Sequence, residues 1–149
     1  MRGMTRRTAL QMGAGTAAAA LLGSGADAAP ADAEAAIAQF ADGKSLQQGG
    51  ITIDLPDAVE DGSSVPISVV VESPMTVDNH VTNILVVSEG NPFPRLVAFR
   101  FTPLSGRAEA ATRIRLAQAQ DVIVVAKTSD GRVLTARKRV DVTVGACTG

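Results

Sequence analysis

Hydrophobic residues change their spacing along this chain, and each change marks a predicted element. Residues 31–42, Ala-Asp-Ala-Glu-Ala-Ala-Ile-Ala-Gln-Phe-Ala-Asp, are rich in the best helix former and set Ile37 and Phe40 on one face. They predict a short helix that starts near Asp32 and docks by a narrow apolar stripe. Gly43 and Gly49-Gly50 then interrupt the pattern. From Ile51 the period becomes two. Ile51, Ile53 and Leu55 alternate with polar neighbours, as do Ile67, Val69 and Val71; then Val97, Phe99 and Phe101; Thr112, Ile114 and Leu116; and Val140, Val142 and Val144. Two further stretches, Val81 to Val87 and Val122 to Ala126, are apolar almost throughout. Turn signals separate them: Pro56, Asp61-Gly62, Ser73-Pro74, Glu89-Gly90-Asn91-Pro92, Pro103 and Ser129-Asp130-Gly131. About seven short strands at regular spacing predict an all-β chain, an immunoglobulin-like β-sandwich in architecture, preceded by a short helix. The organisation expected is a helix and linker over 29–50, a sandwich over 51–144, and a tail over 145–149 running straight out of the last strand.

The first residues read as an address. Arg2, Arg6 and Arg7 give a positive start, an apolar run extends from Thr16 to Leu22, and Ala26-Asp27-Ala28 is a cleavage signal of the A-x-A kind. Residues 1–28 are therefore expected to be a removable leader, and the adjacent pair Arg6-Arg7 points to the twin-arginine route and to the periplasm. An ordinary secretory leader is the alternative reading. The apolar run is short of the ~20 residues a membrane anchor needs. Twin-arginine export moves folded chains, so this one is expected to fold with a partner in the cytoplasm and leave as a complex.

Composition narrows the chemistry. The 149-residue chain has a net charge of −1, no Trp, no Tyr and four Phe. No basic patch points to nucleic acid, platforms for stacking bases or sugars are scarce, and the core must be aliphatic. One His and one Cys supply too few ligands for a metal site, and no phosphate loop is present: Gly13-Ala14-Gly15 falls in the leader. His80, in the polar stretch Asp78-Asn79-His80, reads as a surface or capping residue; it could act as a base for a thiol only if the tail folded back over it. Arg107, Arg113 and Arg115 could form an anion site or be the solvated face of a strand.

Cys147, third from the end in Gly145-Ala146-Cys147-Thr148-Gly149, is the chain's only cysteine. It cannot close an internal disulfide and lies beyond the last stretch that could pack. In an exported protein such a thiol is intermolecular or reactive. It is fourth from no C-terminus, so a prenylation box is excluded. Three readings stay open on the residues alone: a covalent carrier, a structural sandwich joined to a second chain by a disulfide, and a thiol enzyme.

The segments Ser73-Pro74-Met75-Thr76, Asn91-Pro92-Phe93-Pro94, Ser105-Gly106-Arg107-Ala108-Glu109, Thr112-Arg113-Ile114-Arg115-Leu116-Ala117 and Ser129-Asp130-Gly131 occur in this order and lead through Val142-Thr143-Val144-Gly145 to the near-terminal cysteine. In this the chain resembles the SoxY family, the sulfur carriers of the periplasmic thiosulfate-oxidising (Sox) system. The resemblance implies an immunoglobulin-like sandwich paired with a SoxZ-like subunit, and a swinging arm, residues 145–149, bearing the attachment residue Cys147. It implies that a SoxAX-like cytochrome joins thiosulfate to the thiol, that a thiosulfohydrolase removes sulfate, and that a sulfane dehydrogenase oxidises what remains. The carrier is then not itself an enzyme, and needs no metal or cofactor beyond the bound sulfur. The family arm reads Gly-Gly-Cys-Gly-Gly. Here Gly145 and Gly149 are kept while Ala146 and Thr148 replace the inner glycines, which makes a bulkier, stiffer arm and leaves a different sulfur compound open as cargo. Five extended residues reach roughly 15–18 Å. The arm has no Lys, Arg or His to activate the thiol, so it is expected to be quiet until a partner engages it.

Overall fold

The computed structural model describes residues 30–145; the leader arginines Arg6 and Arg7, and Ala146, Cys147, Thr148 and Gly149, lie outside the described residues. Helix α1 spans Pro30–Ala41, with Pro30 at its first position, where a missing N–H costs nothing. Nine strands follow: β1 Leu46–Gln48, β2 Ile51–Asp54, β3 Ala58–Asp61, β4 Val65–Val71, β5 Val81–Ser88, β6 Arg95–Arg100, β7 Ala108–Ile114, β8 Gln120–Thr128 and β9 Val133–Val144. One sheet has the order β1-β9-β8-β5-β6 with β3 also on β9, and a second has the order β2-β4-β7. The all-β immunoglobulin-like sandwich is thus the fold, with two more strands than the alternation pattern marks.

The two most apolar stretches form β5 and β8, at the centre of the larger sheet and covered on both faces. Ile84, Val86, Val122, Val124 and Ala126 point inward and meet Val65, Ile67, Val69 and Val71 of β4. Leu85, Val87, Ile123 and Val125 point outward and are covered by Ala33, Ile37 and Ala41 of α1. A strand buried on both sides has no polar face, so its residues lose the alternation seen in β4. The helix explains why: it closes the outer face of the larger sheet, while the outer face of the smaller sheet keeps polar positions such as Glu109 and Arg113. Phe40 extends the helix stripe, and the Lys127 ammonium lies 4.9 Å from its ring centre.

Strand β9 organises the remaining topology. Along one edge it pairs antiparallel with β8, from Lys127↔Val133 to Gln120↔Val140. It also pairs in parallel with two short strands: Leu46–Gln48 with Val133–Thr135, the same residues that pair with β8, and Ala58–Asp61 with Asp141–Val144. Between those contacts the chain leaves for the second sheet as β2. The last strand therefore continues past the end of β8, and its final residues are held by β3.

Candidate functional site

Gly145 is the described residue nearest the predicted attachment cysteine, so the site is the cradle from which the tail departs. Two glycines meet one stretch of backbone there. A Cβ at Gly62 would lie 2.1 Å from the carbonyl oxygen of Leu116, and a Cβ at Gly145 would lie 1.6 Å from that of Ala117. Both contacts are with main-chain atoms of successive residues, so no side-chain movement could relieve them. Hydrogen bonds complete the clasp. The Gly62 N–H donates to the Val144 carbonyl at 2.8 Å, and the Leu116 N–H donates to the Gly62 carbonyl at 2.9 Å. Gly62 thus ties the end of β9 to the 115–118 segment, and Gly145 lies directly against that segment.

The 115–118 segment is itself pinned by two buried amides. Asn91 Nδ2 donates to the Arg115 carbonyl at 2.7 Å, and Asn91 Oδ1 accepts from the Ala117 N–H at 2.8 Å. Gln120 Nε2 also donates to Asn91 Oδ1 at 2.8 Å and to the Gln118 carbonyl at 3.1 Å, while Gln120 Oε1 accepts from the Gly90 N–H at 2.7 Å. Asn91 and Gln120 are both buried. A buried amide network in which every member has partners is rigid, because any shift leaves a polar group unpaired. Four elements, the 89–94 loop, the 115–120 loop, β3 and β9, therefore form one fixed base for the tail.

The other residues singled out in the sequence lie elsewhere. His80 sits at the opposite end of the sandwich, its Nδ1 3.0 Å from the Thr76 carbonyl oxygen and its N–H donating to Ser129 Oγ at 3.0 Å. That end is one length of β8, about 25 Å at ~3.3 Å per residue, from the tail's base. His80 and Gly145 thus stand at opposite ends of the sandwich, and Cys147 itself lies outside the described residues. Arg107 and Arg113 stand at opposite ends of β7: the first meets Glu109 at 3.5 Å, the second donates to the Ser64 carbonyl at 3.2 Å. They are the solvated face of a strand and do not converge. Among the described residues no group of three or more His, Cys, Asp or Glu could hold a metal ion, and no helix is long and apolar enough to cross a membrane. A groove of about 440 Å³ between α1 and β1, lined by Ile37, Leu46, Ile123 and Thr135, lies along the other half of β9, away from Gly145.

Gly62, Asn91 and Gln120 carried no functional signal in the sequence. Asp61-Gly62 reads only as a turn, Asn91-Pro92 as a turn and as part of one resemblance segment, and Gln120 is marked by no pattern. Their role depends on where a remote carbonyl lies, which no local pattern records.

The comparisons with known proteins bear on this arrangement. The family model for "Sulfur oxidation protein SoxY" matches residues 37–147. Among solved structures, the sulfur carrier protein SoxY from Chlorobium limicola f thiosulfatophilum aligns with a TM-score of 0.64 and 28% identity over 76% of this chain and 98% of that one. A superoxide reductase (neelaredoxin) variant from Ignicoccus hospitalis aligns with a TM-score of 0.59 at 17% identity, over 66% of this chain and 98% of that one. A putative superoxide reductase from Thermotoga maritima aligns with a TM-score of 0.52 at 18% identity, over 69% of this chain and 89% of that one. At those identities the two reductases share the fold alone. No curated protein matches the chain.

Proposed function

The chain belongs to the SoxY family of sulfur oxidation proteins, whose members are sulfur carriers, and on that premise we propose that it holds sulfur intermediates covalently on Cys147 and presents them to the enzymes of a thiosulfate-oxidising system. The observation that carries this reading is the extent of the family match: it runs from residue 37 to residue 147 and so takes in the lone cysteine. The fixed base under Gly145 supports it, since a carrier needs its thiol delivered from a defined point on the body.

The chemistry asked of the chain is small. Loading joins the sulfane sulfur of thiosulfate to the Cys147 sulfur, releases the thiol proton, and gives up an electron pair to a SoxAX-like cytochrome. A thiosulfohydrolase then adds water to the sulfonate, releases sulfate, and leaves a persulfide on Cys147 for a sulfane dehydrogenase. The protein's own contribution is the nucleophilic sulfur, reactive as thiolate, on a thin tether. We place this work in the periplasm, reached by the leader bearing Arg6 and Arg7, with a SoxZ-like subunit as the permanent partner in a heterodimer. Ala146 and Thr148, in place of the family's inner glycines, favour a second reading in which the cargo is another sulfur compound.

Intact-mass spectrometry tests it. Incubation with thiosulfate and the cytochrome is expected to add a thiosulfonate to the parent and nothing to Cys147→Ser. An adduct formed only from a different sulfur compound selects the second reading. A disulfide dimer that never takes up sulfur, or a Cys147→Ser strain that oxidises sulfur compounds as well as the parent, refutes the carrier role and leaves the structural sandwich.

A further inference from the structure

The anchor at Gly145 shortens the tether. Five residues could reach roughly 15–18 Å if all were free. With Gly145 held against Ala117, only two covalent steps separate the anchor from Cys147, and the Cys147 Cα lies within about 7 Å of it. An enzyme acting on that sulfur must therefore bring its surface flush against this end of the sandwich, onto the loops 89–94 and 115–119 and the end of β9.

That end presents an aromatic side chain that belongs to neither buried cluster of the described residues. The other three phenylalanines are used: Phe40 packs with the helix cluster, Phe99 and Phe101 with the main core. Phe93 is 83% exposed. It lies two residues from Asn91, the side chain that holds Arg115 and Ala117 under the tail. Pro92 and Pro94 flank it and fix φ on both sides, and the Pro94 carbonyl accepts the Ser88 N–H at 2.8 Å. Its presentation is thus set before any partner arrives, which lowers the entropy lost on binding. Val144, on the last turn of strand before the anchor, adds a second exposed apolar residue to the same end. Val77 and Leu104 are also exposed, but they belong to the end that carries His80 and Phe101, outside the reach of the thiol. Exposure alone does not select Phe93; its place beside the tether does.

We propose that Phe93, with Val144 beside the tail, is the contact by which an enzyme acting on Cys147 seats this end of the carrier, through an apolar socket next to the entrance of its active site. The inference rests on the carrier reading of Cys147. Its test uses the full exported protein with the subunit that co-purifies with it, and the thiosulfate-loading cytochrome. Loading rate is followed by the Cys147 adduct mass as carrier concentration is varied. Phe93→Ser is expected to raise KM for the carrier about tenfold with kcat retained, while Phe93→Leu restores most of the parent value. Alkylation of Cys147 by iodoacetamide is expected to proceed equally in all three. An unchanged KM in Phe93→Ser overturns the proposal, as does a fall in kcat alone. Sedimentation showing that the parent self-associates and Phe93→Ser does not also overturns it, by assigning the side chain to a contact between copies. Cys147→Ser is run alongside: an adduct on that variant refutes the carrier reading itself, whatever Phe93 does.

Discussion

The two ends of β9 hold their neighbouring loops by opposite means. At the Val133 end the turn is exposed and capped by side chains. Thr128 Oγ1 donates to Asp130, Arg132 Nε meets Asp130 Oδ2 at 2.8 Å, and Gly131 takes φ 90° with room for a Cβ, its nearest neighbour the Lys44 ammonium at 3.5 Å. At the Val144 end the caps are the buried amides of Asn91 and Gln120, and Gly62 and Gly145 are needed for space: a Cβ on either would run into a carbonyl. One glycine answers a torsional demand, the other two a packing demand. A solvated turn can adjust around a substitution. A clasp made of backbone against backbone cannot, and that is the end from which the thiol departs.

Substitutions at the two ends should separate these demands. The largest loss of stability is expected for Gly62→Ala, which forces β3 off Leu116 and costs about 3 kcal/mol in urea unfolding. Gly145→Ala presses on the adjoining carbonyl, that of Ala117, from just beyond the end of β9. It should lower the urea midpoint less than Gly62→Ala does, since it displaces the end of β9 and not β3, and should alter Cys147 loading by the partner enzyme; equal loading would show that the anchor is dispensable.

Next comes Asn91→Ala. It strands the Ala117 N–H and the Arg115 carbonyl and should cost about 2 kcal/mol. Added to Gln120→Ala, it should cost less than the two apart, because both remove one network. Gly131→Ala, at the solvated end, should cost about 1 kcal/mol, the penalty of a left-handed φ, with no effect on loading.

The smallest effect is the acid response of the same turn. The Thr128 hydroxyl first, and then hydrogen bonds and charge from Arg132, hold the Asp130 carboxyl below the usual carboxylate range. A depressed folded value means that its contribution is present above about pH 4, the unfolded value, and fades as pH falls through the folded one. Asp130→Asn should lower stability slightly near neutrality and flatten the acid limb of the unfolding curve, so that variant and parent converge well below about pH 4.

The same contrast explains what could be read in the sequence. β5 and β8 were legible because burial on both faces leaves runs of consecutive apolar residues, Ile84–Val87 and Val122–Ala126, and β4 because one-sided burial leaves alternation. β1 was not: Leu46, Gln47 and Gln48 are all exposed, and the strand exists only because it lies beside Val133–Thr135. β3 likewise forms through parallel pairing with residues far along the chain. The start of β9 was hidden by Arg137-Lys138-Arg139, whose charges stand outward from a strand buried at Val133, Leu134 and Thr135. At the site, Cys147 announced itself by being alone and near the end, whereas Gly62, Asn91 and Gln120 matter through distances to Leu116 and Ala117 that are set by the tertiary fold.

The position of β9 has a consequence for biosynthesis. β1, β3 and β8 all take it as their neighbour, so a nascent chain that has not yet added Val133–Val144 has β1 and β3 without their partner strand, one edge of β8 bare and an unsealed core. Maturation of the body therefore waits for the segment that leads to the sulfhydryl. Copies truncated ahead of it should fail quality control, so that those surviving to be put to use retain the mooring for their cargo.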